Sequence, residues 1–283
     1  MSALSKQLLP RQAVEILRSF RHYGYLALSP FDYLARAVNG KTGLPPLHLR
    51  RYVGPLRTFE ASASEFMDYL RLRLGLRRAD NILDIGCGCG LMALVLKDYL
   101  DEQGSYTGMD IHKPSIQWCV KNIGERYANF RFDHIDVTNH AFNPTGKHQA
   151  QDFVFPFDRR TFDVILVKSV FTHMRPAEVE NYLREMSRIL KPDGRCLVTF
   201  FLLNSEQARL EEEGTQELSF KFGNGPWRYV YPQRPESAVA YEESYIRVLL
   251  PKCGLILQEP IHYGSWSGRH DGLSFQDMMI LRK

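Results

Sequence analysis

The most definite chemistry in this sequence lies in Asp84-Ile85-Gly86-Cys87-Gly88-Cys89-Gly90. Ile82-Leu83-Asp84-Ile85 is an apolar run of strand type. It empties into a loop with glycine at alternate positions, followed by the helical stretch Leu91-Met92-Ala93-Leu94-Val95-Leu96. Glycine is needed where backbone turns tightly and approaches a ligand closely. Amide donors at the start of the next helix suit a carboxylate, or a ribose and amino-acid group. Asp84, at its strand end, can accept from an ammonium. Asp110 ends the next strand, Tyr106-Thr107-Gly108-Met109-Asp110, where an acceptor pair can hold both ribose hydroxyls. Nicotinamide enzymes share this logic, but their glycines are spaced G-x-G-x-x-G, and here the third dinucleotide position is Leu91.

Ligands of an open α/β sheet bind outside the carboxyl ends of its parallel strands. After the expected fourth strand come Lys168, Ser169, Val170, Phe171, Thr172 and His173. His173 is the best candidate base, since a neutral imidazole can take a proton from an attacking hydroxyl. Its other reading is a histidine that packs against or caps the helix beginning near Pro176. His262 and His270 are the alternates. In the hairpin 263–272, Tyr263 and Trp266 suit an apolar wall against a sugar or aromatic acceptor, and Arg269 suits a bidentate clamp on an acidic group. The competing reading is a well-packed hairpin that seals the sheet. Trp227 and Tyr229 carry the same two readings. Arg50 and Arg51 precede the core and read first as solvated surface, with reach to a cofactor carboxylate or an acidic substrate as the second reading. Cys87 and Cys89 alternate with the glycines where only a small side chain fits, and have no catalytic role.

These residues need an α/β frame. From Asn81 the chain alternates apolar runs with helical stretches, the pattern of β-α-β units around a parallel sheet. Strands are expected at 81–85, 106–110, 130–134, 162–168, 195–202, 254–262 and 275–282, with helices at 60–74, 89–101, 114–127, 176–190 and 241–252. Residues 1–60 read as an N-terminal helical cap and connector, its helices broken near Gly24 and Pro30, and 61–283 as the catalytic domain. Residues 204–240 show no clean period and read as an inserted lid. With 283 residues, 44% hydrophobic, the chain can bury one sizeable core without disulfides. Its net charge of +4 is small and dispersed, which does not point to a nucleic-acid partner. The five cysteines include only one close pair, in a Cys-x-Cys spacing unlike common zinc sites, so no metal is expected and the thiols suit a reducing compartment. No stretch approaches the roughly 20 apolar residues of a membrane span, and the expected location is the cytoplasm.

The spacing Asp-x-Gly-x-Gly-x-Gly resembles that of the class I S-adenosylmethionine-dependent methyltransferases, and the likeness continues. Asp136 in Phe132-Asp133-His134-Ile135-Asp136-Val137 matches the acid beside the adenine in that superfamily. Residues 162–174 match its fourth strand and loop, and Leu183 to Gly194 its next helix and turn. The resemblance implies a doubly wound, seven-stranded Rossmann-like sheet with the last strand antiparallel. It implies S-adenosylmethionine as cofactor and S-adenosylhomocysteine as product. The binding residues it implies are Asp84, Gly86, Cys87, Gly88, Gly90, Asp110 with Ile111, Asp136 with Val137, and Lys168. Ser169 to Met174, Thr199 to Leu203 and the Gly264 to Arg269 stretch resemble a bacterial subgroup associated with glycans and natural products. The expected reaction is O-methylation of a small molecule or a saccharide hydroxyl. A carboxyl, peptide or protein methyltransferase and a non-catalytic cofactor-binding protein are the alternatives. A nucleic-acid amine methyltransferase would show Asn or Asp, Pro-Pro and an aromatic after the fourth strand, where this chain has Lys168-Ser169-Val170-Phe171.

Overall fold

The computed structural model describes residues 23–54, 56–140 and 142–283. Its main sheet contains β1 (Asn81–Ile85), β2 (Ser105–Asp110), β3 (Phe130–His134), β4 (Phe162–Val167), β5 (Leu190–Phe200), β9 (Ile256–His262) and β10 (Asp277–Arg282). The seven strands are ordered β3-β2-β1-β4-β5-β10-β9. Strands β1, β4 and β5 run parallel, from Ile82↔Val164 to Ile85↔Val167 and from Val164↔Arg195 to Val167↔Val198. β10 is antiparallel to both neighbours, from Asp277↔Phe200 to Arg282↔Arg195 on one side and against β9 on the other. A parallel strand covered on both faces must be apolar along its length. Accordingly, β1 is buried from Ile82 onward and every residue of β4 except Asp163 is buried. The strand order reverses between β1 and β4, the switch point at which ligands of such sheets bind.

Two compact units divide the described chain: the residues up to Ala79 with Cys87–Ile135, and Asp80–Gly86 with Asp136–Lys283. In the first, α1 (Ser29–Val38) precedes the short α2 (Leu47–Arg50) and α3 (Phe59–Leu72). Leu49, Phe59 and Ala63 pack with Cys89 and Leu91. In the second, α6 (Pro176–Ile189) follows β4 and buries Val179, Tyr182, Leu183, Met186 and Ile189 at helical spacing. Pro176 occupies its first turn, where a missing N–H costs nothing, and Glu178 reaches back to the Arg175 N–H at 2.6 Å.

Several elements differ from the sequence reading. The helix expected over 89–101 is the short α4 (Ala93–Leu96), and that over 114–127 is α5 (Lys113–Cys119) running into a π-turn at Val120–Gly124. Pro192-Asp193-Gly194, expected as the turn after the 176–190 helix, lies inside β5 as an irregularity between the Leu190 and Arg195 pairings. Residues 204–240 hold structure of their own: α7 (Ser205–Glu212) and β7 (Trp227–Tyr229). With β6 (Leu202–Leu203) and β8 (Val239–Glu242), β7 completes a three-stranded sheet ordered β6-β8-β7. β8 takes the start of the expected 241–252 helix, so α8 spans Glu243–Lys252. Residues 23–27 are helical and include Gly24, a turn at Leu28 separates them from α1, and Pro30 falls in the first turn of α1. The part of the N-terminal cap before residue 23 lies outside the described residues.

Candidate functional site

In the first unit, the glycine loop is locked to the end of β2. The Cys87 N–H donates to the Met109 carbonyl at 3.2 Å, and the Gly88 N–H donates to Asp110 Oδ2 at 2.8 Å. Asp110 Oδ1 accepts the His112 N–H at 2.7 Å. Burial pushes the Asp110 carboxyl up, while the His112 and Gly88 amides pull it back. Gly88 and Gly90 have φ of 54° and 79°, a region closed to most side chains. A Cβ on Gly88 would lie 2.7 Å from Val53 Cγ2, and one on Gly90 3.1 Å from Cys119 Sγ. Cys87 is buried against Gly108, whose own Cβ would meet its sulfur at 2.8 Å. The carbonyl of Ile111 is bonded to His134 Nε2 at 3.2 Å. All five cysteines are buried free thiols, and burial pushes the Cys89 thiol up to about 12, consistent with a packing role.

The short α4 alters one expectation. Its four residues make no extended run of free amides, and the loop amides of Cys87, Gly88 and Gly90 are already spent on Met109, Asp110 and Cys87. No long helix terminus faces an anion here, and the polar group held at the loop is an acceptor, the carboxylate of Asp110. The donor set still fits a cofactor with a ribose. A carboxylate has about four lone-pair sites, and Asp110 gives three to the backbone amides of Gly88, His112 and Ile111, which leaves acceptor capacity for a ribose hydroxyl.

In the second unit, Asp84 is buried at the end of β1 and Gly86 has φ 75°. A Cβ on Gly86 would lie 2.4 Å from Val170 Cγ2, so the loop after β4 passes directly against this glycine. In that loop lie Lys168, half-buried, and Ser169, which holds φ 57° despite its side chain. The Ser169 N–H donates to Thr199 Oγ1 at 2.8 Å, and the hydroxyls of Ser169 and Thr199 donate to Gln276 Oε1 at 2.9 and 2.7 Å. This polar trio across the ends of β4, β5 and β10 was not anticipated from sequence. Backbone held in a sparse region clusters at functional sites. Asp136 is half-buried and accepts from Asn143 Nδ2 at 3.2 Å, while Val137 is buried and its carbonyl takes the same amide at 3.0 Å.

His173 is half-buried, with its Nδ1 2.9 Å from the Glu236 carbonyl and its ring edge against Phe142. A carbonyl only accepts, so Nδ1 carries the proton and the lone pair of the neutral ring lies on Nε2. Glu236 belongs to the inserted segment. Its carboxylate is buried, takes the His140 N–H at 3.0 Å and pairs with Arg175 at 3.2 Å. The Tyr241 hydroxyl, on β8, donates to the Met174 carbonyl at 2.6 Å. The insert is thus fastened to the 171–175 loop by several bonds.

The hairpin residues part company. Trp266 is 0% exposed, packs with Phe201, Phe220 and Val230, and donates Nε1–H to Asp277 Oδ2 at 2.9 Å. For this ring the packing reading holds: it is core, with no face presented to solvent. Tyr263 is half-buried and donates its hydroxyl to Glu243 Oε2 at 2.9 Å. Arg269 lies over the Tyr263 ring, 4.3 Å from its centroid, and spends an N–H on Asn204 Oδ1 at 3.2 Å. Asn204 in turn caps α7 and donates to Glu243 at 2.8 Å. Burial raises Glu243, but the donors Asn204, Arg247 and Tyr263 outweigh it and hold the carboxyl below its ordinary value. Trp227 and Tyr229 are half-buried side by side, ring centroids 5.3 Å apart. His262 pairs within the sheet opposite Met278, and His270 is exposed. Arg50 and Arg51, read first as solvated surface, are both half-buried, the Arg50 side chain only 12% exposed.

Residues 82–194 match a family described as a methyltransferase domain. The chain is 25% identical over 180 residues to a probable cobalt-precorrin-6B C(15)-methyltransferase (decarboxylating) of Thermoplasma acidophilum, covering 62% of this chain and 76% of that protein. It is 30% identical over 156 residues to the 27-O-demethylrifamycin SV methyltransferase of Amycolatopsis mediterranei, covering 55% of this chain and 51% of that one. The chain thus spans about half the length of the second relative. Among solved structures, the fold resembles 1,6-didemethyltoxoflavin-N1-methyltransferase of Burkholderia thailandensis, solved with bound S-adenosylhomocysteine, at TM-score 0.51 and 18% identity over 92% of this chain and 89% of that one. A Nostoc punctiforme protein described as a putative O-methyltransferase gives TM-score 0.54 at 14% identity, over 84% and 61% of the two chains.

Proposed function

Through residues 82–194 the chain belongs to the class I S-adenosylmethionine-dependent methyltransferase superfamily, and from that premise we propose that it methylates a hydroxyl of a small molecule or saccharide, with His173 as general base. The observation that carries this reading is the 2.9 Å bond from His173 Nδ1 to the Glu236 carbonyl, which selects the tautomer whose Nε2 accepts a proton. A bound sulfonium cofactor supplies the electrophilic methyl group. Asp84 is assigned to its ammonium, Gly86, Cys87, Gly88 and Gly90 to the close backbone approach, Asp110 and Ile111 to the ribose, Asp136 and Val137 to the adenine end, and Lys168 to the loop beside the transferring methyl. In-line methyl transfer asks the protein mainly for positioning and exclusion of water. The paired rings of Trp227 and Tyr229, with Tyr263 and Arg269, are the acceptor wall in this reading, and the rifamycin relative's name supports a hydroxyl-bearing acceptor. Residues 204–240 serve as a lid that is tied down through Glu236 and flanked by the Tyr241 bond to Met174.

The test is transfer of labelled methyl from S-adenosylmethionine into sugars, glycan precursors, phenols, peptides and carboxylic acids. Label is expected in a hydroxyl of one class, falling about 10²- to 10⁴-fold in His173→Gln with cofactor affinity unchanged. Label on carbon or on a carboxylate, or full activity in His173→Gln, overturns the proposal.

A further inference from the structure

The connector before the core carries an arginine whose bonding is incomplete. Asp32 Oδ2 accepts from Arg36 Nε at 2.9 Å and from the Leu47 N–H at 3.2 Å, and its Oδ1 is paired with Arg50 Nη2. Two cations thus share one carboxylate, leaving the cluster with a net positive charge. Arg50 Nε is buried and has no hydrogen-bond partner among the described residues; Arg51 Nε shares this, but the Arg51 guanidinium lies over the Tyr25 and Tyr52 rings. A buried guanidinium N–H without an acceptor is costly, and each such group in a folded protein calls for an explanation.

Its neighbours supply one. Val53 lies on Gly88, 2.7 Å from where a Cβ would be, and the Tyr52 ring lies 4.4 Å from that of His112, two residues past Asp110. Leu49 packs with Cys89, and the charges of Asp110 and Arg50 both act on the Cys89 thiol. Residues 49–53 therefore run along the glycine loop and the end of β2, with the unsatisfied donor of Arg50 among them.

Resting on the cofactor assignment above, we propose that residues 49–53 form a wall of the cofactor site and that Arg50 donates its Nε–H to the carboxylate of the cofactor's methionyl end. An anion is the acceptor that suits a guanidinium already sharing its one carboxylate with a second arginine, and a charge-assisted bond is the strong kind. Val53 limits the space over Gly88, and Tyr52 with His112 fixes the approach of the connector to Asp110.

The experiment is calorimetric binding of S-adenosylhomocysteine and of 5′-methylthioadenosine, which keeps the adenosine and thioether but lacks the amino-acid end. Arg50→Met is expected to weaken S-adenosylhomocysteine at least tenfold and to leave methylthioadenosine within twofold. Arg51→Met, the neighbouring cation, is expected to leave both within twofold. If Arg50→Met melts early, Arg50→Lys, which keeps a charge facing Asp32, is held to the same split. Equal weakening of both ligands would assign Arg50 to holding the connector in place and overturn the proposal, as would unchanged binding of S-adenosylhomocysteine or a loss confined to Arg51→Met. A parent protein that binds neither ligand would overturn the cofactor assignment itself.

Discussion

Replacing Asp110 by asparagine separates the loop clasp that its carboxylate makes from the ribose binding proposed for it. In the parent, Oδ2 takes the Gly88 N–H at 2.8 Å and Oδ1 the His112 N–H at 2.7 Å. Asparagine offers a single oxygen and turns an NH₂ toward the other backbone donor, so one amide loses its acceptor, at about 1–3 kcal/mol. For a domain of this size that lowers Tm by several degrees, at about 2–4 °C per kcal/mol. The ligand loses more than the fold. In the proposed ribose site a charged acceptor gives way to a neutral amide, about 2–3 kcal/mol, or a rise of roughly 30- to 150-fold in Kd for S-adenosylhomocysteine. Calorimetry beside thermal melts reads both, with Asp98→Asn, an exposed acid on the same unit, as the control. Asp110→Asn that melts lower yet binds within threefold of the parent would leave the carboxylate as a clasp for the loop only, and the ribose assignment would fall.

Two further substitutions test the second unit. Asp277 is buried and takes N–H bonds from Gly264 and Leu202 at 2.7 Å each and from Trp266 at 2.9 Å, while burial pushes its carboxyl from 3.8 up to about 6. The folded state then holds the proton more tightly than the unfolded chain. The stability this gives is present below about pH 4 and lost as pH rises through about 6, with a ceiling of about 3 kcal/mol. Denaturant titrations are expected to show the parent's advantage over Asp277→Asn widening on acidification through that window; a narrowing gap would mean that the three donors outweigh burial. Asp80 and Arg195 form an ion pair at 2.6 Å with side chains only 5% and 7% exposed. Asp80→Ala removes the carboxylate from a buried guanidinium and is expected to cost about 3–5 kcal/mol. Adding Arg195→Met should recover much of the loss, and strict additivity in the double-mutant cycle would refute the coupling.

What could be read from sequence follows from where physics leaves a one-dimensional trace. Strands covered on both faces must be apolar throughout, so Ile82–Ile85 and Phe162–Val167 announce themselves. Gly86, Gly88 and Gly90 stand where φ is 75°, 54° and 79°, and their alternation marks the loop. The insert hid because β6 and β7 are two and three residues long, and β6 pairs with β8 through Leu202↔Tyr241, far apart in sequence. Trp266 suited a core and a site equally, and its indole bond to Asp277, with aromatic rings around it, decided for the core. The partner of His173 left no trace at all, because it is a backbone carbonyl, a group every residue carries. Arg50 looked solvated for lack of any periodic signal in 43–54, and its carboxylate partner, Asp32, lies in a helix upstream.

The bond between Glu236 and His173 ties two kinds of variation together. Loop insertions are ordinarily the freely exchangeable part of an enzyme, able to diverge in length and shape while the scaffold keeps its chemistry. Here the carbonyl that sets the imidazole's proton is carried by the insertion, so a graft that reshapes the proposed acceptor wall also resets the proposed base. Enzymes remodelled by exchanging residues 204–240 as a cassette would change specificity and pH–rate profile together. Retargeting one without the other means keeping Arg234-Pro235-Glu236 and varying only the stretch before it.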